Sequence, residues 1–201
     1  MNDDPREHIC VIARLAYDRR LLDSAGGNIS VRQGELIYAT PRYSGSKYQW
    51  RLQAEQINVL EIGGELVEAR GELSREFQMH KSIYREFPEA GAVFHAHARN
   101  VLVFANLRMP IPPASEQTEK YGHIELTEEQ PAHGSELART VVETLGKKRE
   151  KLAKHAIACL IPYHGITVVG RDLDDAYDAL ERIDGSCYVH FAASGIIELG
   201  S

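Results

Sequence analysis

No stretch of this 201-residue chain approaches the roughly 20 consecutive apolar residues that a membrane-spanning helix needs. The opening "MNDDPREH" is acidic and polar and has no apolar core, so no signal peptide is expected there. Cysteine is scarce: Cys10, Cys159 and Cys187 form no CxxC pair, which argues against a zinc ribbon or a disulfide scaffold and for a reducing cytoplasm. Basic excess is missing too. Lys and Arg number 23 against 29 Asp and Glu, a net charge of −6, and a nucleic-acid surface normally shows a basic stripe. Repeats and low-complexity segments are absent. What remains is ordinary globular composition, 43% hydrophobic and 26% charged, in a length that suits one domain over residues 1–201 with a real core.

The hydrophobic period changes along the chain. "EHICVIARLAYDRRLL" places Ile9, Ile12, Leu15, Ala16 and Leu22 near a 3.6-residue period and predicts a helix. "DSAGGN" is a turn. "NISVR" and "ELIYAT" read as strands about Gln33-Gly34, and "INVLEI" and "ELVEAR" as a hairpin about Gly63-Gly64. "PRYSGSKYQWR" reads as loop. "LSREFQMHKSIYREF" predicts a helix capped by Ser74, with Glu76 in its first turn and Pro88 at its end. "AGAVFHAH" is a strand, "RNVLVFANL" a helix and "RMPIPPASEQTEKYG" an irregular loop. "GSELARTVVETLGKKREKL" is a helix capped by Ser135. Two strands broken near Pro162 and Gly165 and a long closing helix complete an order that favours a mixed α/β fold, a sheet covered by helices.

Chemistry concentrates at "FHAH". Side chains alternate along a strand, so His95 and His97 share a face, at a spacing that lets two imidazoles meet one metal ion. Two polar residues on a solvent-facing strand would look the same, but the apolar "AGAV" before them reads as buried, and buried imidazoles need partners. His164, between Pro162 and Gly165 at the strand break, is a candidate third ligand, and Glu76 a candidate fourth at a helix start. Taken singly, Glu76 is also an ordinary first-turn glutamate and His164 an ordinary turn histidine. His8, His123, His133, His155 and His190 have weaker contexts, and His80, on the apolar face of its helix, reads as a hydrogen-bonded core residue.

Four segments line up in order: "GGNIS", "LSREFQMH", "VFHAH" and "YHGI". Together they resemble the class II aldolase/adducin family over nearly the whole chain. The resemblance implies a three-layer α/β/α fold with a central, mostly antiparallel sheet, a homotetramer, and one zinc ion per chain on His95, His97 and His164. Manganese or cobalt would suit the same ligands. It implies Glu76 as the acid–base carboxylate and metal neighbour. Gly27, Asn28, Thr40 and Ser74 would lie in the pocket for a substrate phosphate. The implied reaction is reversible cleavage of a ketose 1-phosphate, such as L-fuculose 1-phosphate, to dihydroxyacetone phosphate and an aldehyde.

The chain departs from the pattern in three places. Arg75 stands where the family has a second serine, and a guanidinium there suits a phosphate or a carboxylate. The short threonine–proline turn is lengthened into "TPRYSGSKY". A tyrosine of the aldolases is missing, and Glu116 stands near its place, in a region where a dehydratase of the family carries a catalytic glutamate; an ordinary charged loop is the alternative there. Dehydratase, decarboxylase or 4-epimerase chemistry therefore competes with aldol cleavage. A non-catalytic adducin-like scaffold is disfavoured by the retained histidines and Glu76. The expected ligands come from two strands and a helix start, which leaves one pocket wall to be supplied by a subunit contact.

Overall fold

The computed structural model describes residues 4–63 and 65–199, the last four of these by backbone alone. Helices run at Pro5–Asp18 (α1), Ser44–Tyr48 (α2), Phe77–Glu86 (α3), Val101–Leu107 (α4), Glu116–Glu119 (α5), Ser135–Gly146 (α6) and Leu173–Leu199 (α7). Strands run at Asn28–Gln33 (β1), Leu36–Ala39 (β2), Asn58–Glu61 (β3), Leu66–Glu68 (β4), Ala92–Ala96 (β5), Ile157–Ile161 (β6) and Gly165–Gly170 (β7).

The strands make one sheet in the order β4-β3-β2-β1-β5-β7-β6, and each neighbouring pair is antiparallel. Each face carries its own core. Ile12, Phe94, Val168 and Leu180 pack on one side, under α1, α4 and α7. Met79, Ile83, Val93, Val141 and Val169 pack on the other, under α3 and α6. This is the expected α/β/α layering, with a sheet that is antiparallel throughout. Covering both faces explains why all five residues of β5 are buried, His95 among them, where a one-sided sheet would alternate.

Several local expectations are corrected. The first helix stops at Asp18, so Leu22 is buried beyond it rather than on its face. Ser74 does not cap α3; Glu76 occupies that position, and the Ser74 hydroxyl accepts the Glu76 N–H at 3.2 Å instead. Ser135 lies inside α6, after Gly134, and that helix ends at Gly146 instead of running on to Leu152. The two expected loops each hold a short helix, α2 and α5. The β3–β4 hairpin forms, but Gly64 of its expected turn lies outside the described residues.

Candidate active site and metal centre

Three central strands set the floor of the site. Asn28 of β1 pairs with His95 of β5, which pairs with Thr167 of β7, so the three stand in a row across the sheet. Opposed residues on adjacent antiparallel strands share a face. That face is the one α3 covers, and α3 begins beside Glu76.

His95 is fully buried, and its Nδ1–H donates to the Ile166 carbonyl at 3.1 Å, which leaves Nε2 as a bare acceptor. Burial pushes this imidazole down to about 3, so it is neutral at ordinary pH. His97 follows the end of β5, its Nδ1 3.4 Å from Asp23 Oδ1. Asp23 is itself held by the N–H groups of Ala25 and Gly26, each at 2.9 Å. The fit is close: a Cβ on Gly26 would stand 2.6 Å from His97 Cε1. His164 sits in the β6–β7 turn. Gly165 after it allows the turn to close on β5, since a Cβ there would stand 2.3 Å from the Ala96 carbonyl oxygen. One ligand atom from each of His95, His97 and His164 lies within 4.8 Å of the others.

Glu76 faces this triad from the start of α3. Its Oε2 accepts from Asn28 Nδ2 at 2.9 Å and lies 3.3 Å from His95 Nε2. Its Oε1 lies 2.9 Å from His164 Nε2 and 3.7 Å from His133 Nδ1. Burial works to raise the Glu76 carboxyl, yet His95, His164 and the Asn28 amide hold it below the ordinary carboxylate range. Glu76 Oε1, His95 Nε2 and His97 Nε2 are buried without a hydrogen-bond partner. Buried acceptors left bare are costly. An ionised carboxylate beside converging imidazole lone pairs is the donor set a divalent cation satisfies, so the residues present fit a metal.

A family model described as Class II Aldolase and Adducin N-terminal domain matches residues 7–191. The chain belongs to that family. An L-fuculose phosphate aldolase of Methanococcus maripaludis is 26% identical over 189 residues, covering 92% of this chain and 95% of its own. A 5-deoxy-D-ribulose 1-phosphate aldolase of Bacillus thuringiensis is 24% identical over 196 residues, covering 96% and 87%. The solved structure of an L-fuculose 1-phosphate aldolase superposes with a TM-score of 0.83 at 23% identity, over 98% of this chain and 89% of that one, which shows the shared fold. The matches place the chain among the class II aldolases, which are lyases.

Against the family pattern the remaining residues sort themselves. Gly27, Asn28, Ser74 and Arg75 line one pocket with Glu76, His97 and His164. Gly27 has a left-handed backbone, φ +98°, and a Cβ there would stand 3.1 Å from the His95 carbonyl oxygen. The exposed Arg75 takes part in no ion pair found among the described residues. Thr40 is buried behind the pocket, its Oγ1 accepting the Ile29 N–H at 3.0 Å and donating to the Ile29 carbonyl at 3.3 Å. These bonds tie β1 to the residue after β2, and Thr40 is not among the residues lining the pocket. Glu116 begins the exposed α5 and does not line this pocket. The lengthened segment 41–50 supplies Ser44 and Ser46 to the pocket, while buried Trp50 donates from Nε1 to the Asp23 carbonyl at 2.8 Å.

Sequence reading misses Asp23 and gives His133 too little weight. Asp23 sits in a turn whose glycines drew the attention. His133 lines the pocket with a left-handed backbone, φ +70°. A signal for it existed: "PAHG" at 131–134 repeats the proline-x-histidine-glycine pattern of "PYHG" at 162–165.

Proposed function

We propose that this chain is a divalent-metal-dependent aldolase that reversibly cleaves a ketose 1-phosphate, L-fuculose 1-phosphate or a 5-deoxypentulose 1-phosphate, to dihydroxyacetone phosphate and an aldehyde. The observation that carries this reading is the convergence of His95, His97 and His164 on one point facing the buried carboxyl group of Glu76. His95, His97 and His164 would hold the ion, zinc by ligand preference, with Glu76 as the facing carboxylate. When bound, a divalent ion acts as a Lewis acid that polarises the substrate carbonyl and stabilises charge building on its oxygen.

The protein's own groups do the rest. In the direction of synthesis, ionised Glu76 takes the proton from the carbon that will form the new bond. In cleavage it returns a proton to that carbon. Asn28 steadies Oε2, so Oε1, which has no hydrogen-bond partner in the protein, is the oxygen left to handle the proton. Ser74 Oγ already accepts from Asn28 Nδ2 and from the Glu76 N–H, both at 3.2 Å, so its O–H remains free to donate to the substrate. The Arg75 guanidinium at the mouth takes the phosphate. Glu116 stands outside the pocket, which gives the dehydratase reading no support within one chain.

We also propose a homotetramer working in the cytoplasm. Exposed Leu107, Met109, Tyr188 and Phe191 support self-association, and three unpaired cysteines suit a reducing compartment. Among the described residues no helix is long and apolar enough to cross a membrane.

The test is release of dihydroxyacetone phosphate from the two candidate ketose phosphates, before and after chelation. Glu76→Gln should keep the metal and lose at least about a hundredfold in turnover, the scale of a lost acid–base group. Full turnover in that variant, or in metal-free protein, would refute the reading.

A further inference from the structure

The fully buried His80 of α3 is used by none of the steps above, yet it touches the machinery through a single intermediary. Its Nε2 is hydrogen-bonded to Asn28 Oδ1, and its Nδ1 lies 2.7 Å from Ser30 Oγ. Asn28 Nδ2 in turn lies 2.9 Å from Glu76 Oε2 and 3.2 Å from Ser74 Oγ.

The direction of every bond in this chain is forced from one end. Asn28 Nδ2 lies within hydrogen-bond reach of two oxygens, Glu76 Oε2 and Ser74 Oγ, so the Asn28 amide presents its NH2 to that side. Asn28 Oδ1 then faces His80, so His80 Nε2 must carry the hydrogen. A neutral imidazole has only one N–H, so Nδ1 must accept, and Ser30 Oγ–H must donate to it. Tyr84 closes the line: its hydroxyl donates to the Ser30 carbonyl at 2.9 Å and lies 3.0 Å from Ser30 Oγ. We infer that His80 is a positioning residue: its Nε2–H, with Nδ1 satisfied by Ser30, locks the Asn28 amide with its NH2 toward Glu76 and so holds the Glu76 carboxylate in its working orientation.

Without that N–H the buried Asn28 Oδ1 loses its donor, and only Glu76 and Ser74 are left to orient the amide. An amide flipped by half a turn would set Oδ1 against Glu76 Oε2, two acceptors at hydrogen-bond distance, and the carboxylate would swing away. Burial supports the required neutral form, pushing the His80 imidazole down to about 4. The register explains why the line exists at all. Asn28 and Ser30 are two apart on β1, hence on one face, and His80 and Tyr84 are one helical turn apart on the buried side of α3.

The inference rests on the acid–base reading of Glu76, and the experiment separates the two. Nitrogen-15 NMR of the histidine-labelled wild-type protein should show His80 as the neutral Nε2–H tautomer, and the Asn28 side-chain amide protons should exchange slowly. Kinetics on L-fuculose 1-phosphate or, should it be the better substrate, 5-deoxyribulose 1-phosphate form the second arm. His80→Phe should lower kcat about tenfold or more, the scale of losing an orienting partner, with metal content unchanged. Its KM should stay within about twofold, since uniform binding is untouched. His80→Gln, whose amide can donate to Asn28 and accept from Ser30, should recover most of the loss. An Nδ1–H tautomer, or a His80→Phe protein with wild-type kcat, would overturn the inference. If His80→Phe fails to fold, the tautomer in wild-type protein decides. If Glu76→Gln keeps full turnover, the acid–base reading falls alone, and the tautomer and amide exchange still decide the orientation.

Discussion

At the scale of single residues, the proposed metal ligands and the proposed substrate contacts are different groups, and variants should separate them. His95 Nε2 has no partner in the protein, while its Nδ1 is fixed on the Ile166 carbonyl. His95→Ala should therefore leave a folded chain with well under one bound zinc per subunit by atomic absorption; full occupancy would remove His95 from the ligand set. Arg75 is different. It lies at the pocket mouth and has no carboxylate to pair with among the described residues, so its charge is available to an anion. Arg75→Ser removes a charge-assisted bond worth about 1.5–3 kcal/mol, so KM for a phosphorylated ketose should rise about ten- to a hundredfold with kcat little changed. The unphosphorylated parent sugar should show no such rise. An unchanged KM for the phosphate ester would leave Arg75 as a solvated surface residue.

Elements, rather than residues, decide how rigidly the ligands are held. The stretch from β5 to α4 carries His97, and its far end is tied to α7 by one buried carboxylate. Asp184 accepts from Asn100 N at 2.8 Å, Val101 N at 3.1 Å and Asn100 Nδ2 at 2.8 Å, which satisfies the first free N–H groups of α4. Burial raises the Asp184 carboxyl, and these three donors only partly offset it. Asp184→Ala strips the cap and leaves buried N–H groups unpaired, a cost of about 2–4 kcal/mol. For a domain of this size that lowers Tm by about 5–10 °C in a calorimetric scan. An unshifted Tm would show that water or another group replaces the carboxylate without cost.

For the whole molecule the open question is how the pocket is closed. Leu107 is 62% exposed and Phe191 63%, and they line one apolar groove with Val103 and Met109 between α4 and α7. Contiguous apolar surface of this kind marks interaction sites rather than free surface. The proposed homotetramer, with active sites at subunit contacts, would cover it. Sedimentation should give four chains, and Leu107→Glu with Phe191→Glu should yield smaller, inactive species with intact secondary structure. A fully active monomer would refute the assembly and its role in the site.

Much of this was legible in the amino-acid order alone, because it depends on short-range pattern. The α/β class follows from hydrophobic periods of 2 and 3.6. The candidate metal site is readable in an HxH spacing, a proline–histidine–glycine break and a glutamate at a helix start, each within ten residues. Helix ends read poorly: neither Ser74 nor Ser135 caps its helix, because tertiary contacts reassigned the first turn. Only the folded chain could show that Asp23 lies against His97, that His133 faces Glu76, that Thr40 bonds Ile29 of β1, or that His80 meets Asn28. The physical reason is strand register and helix docking. Asn28 meets His95 across 67 positions of sequence and His80 across 52, and a slip of one residue in either pairing would turn the side chain to the other face. Local pattern determines which residues lie on a face; which faces meet is settled only when two layers of helix close on the sheet.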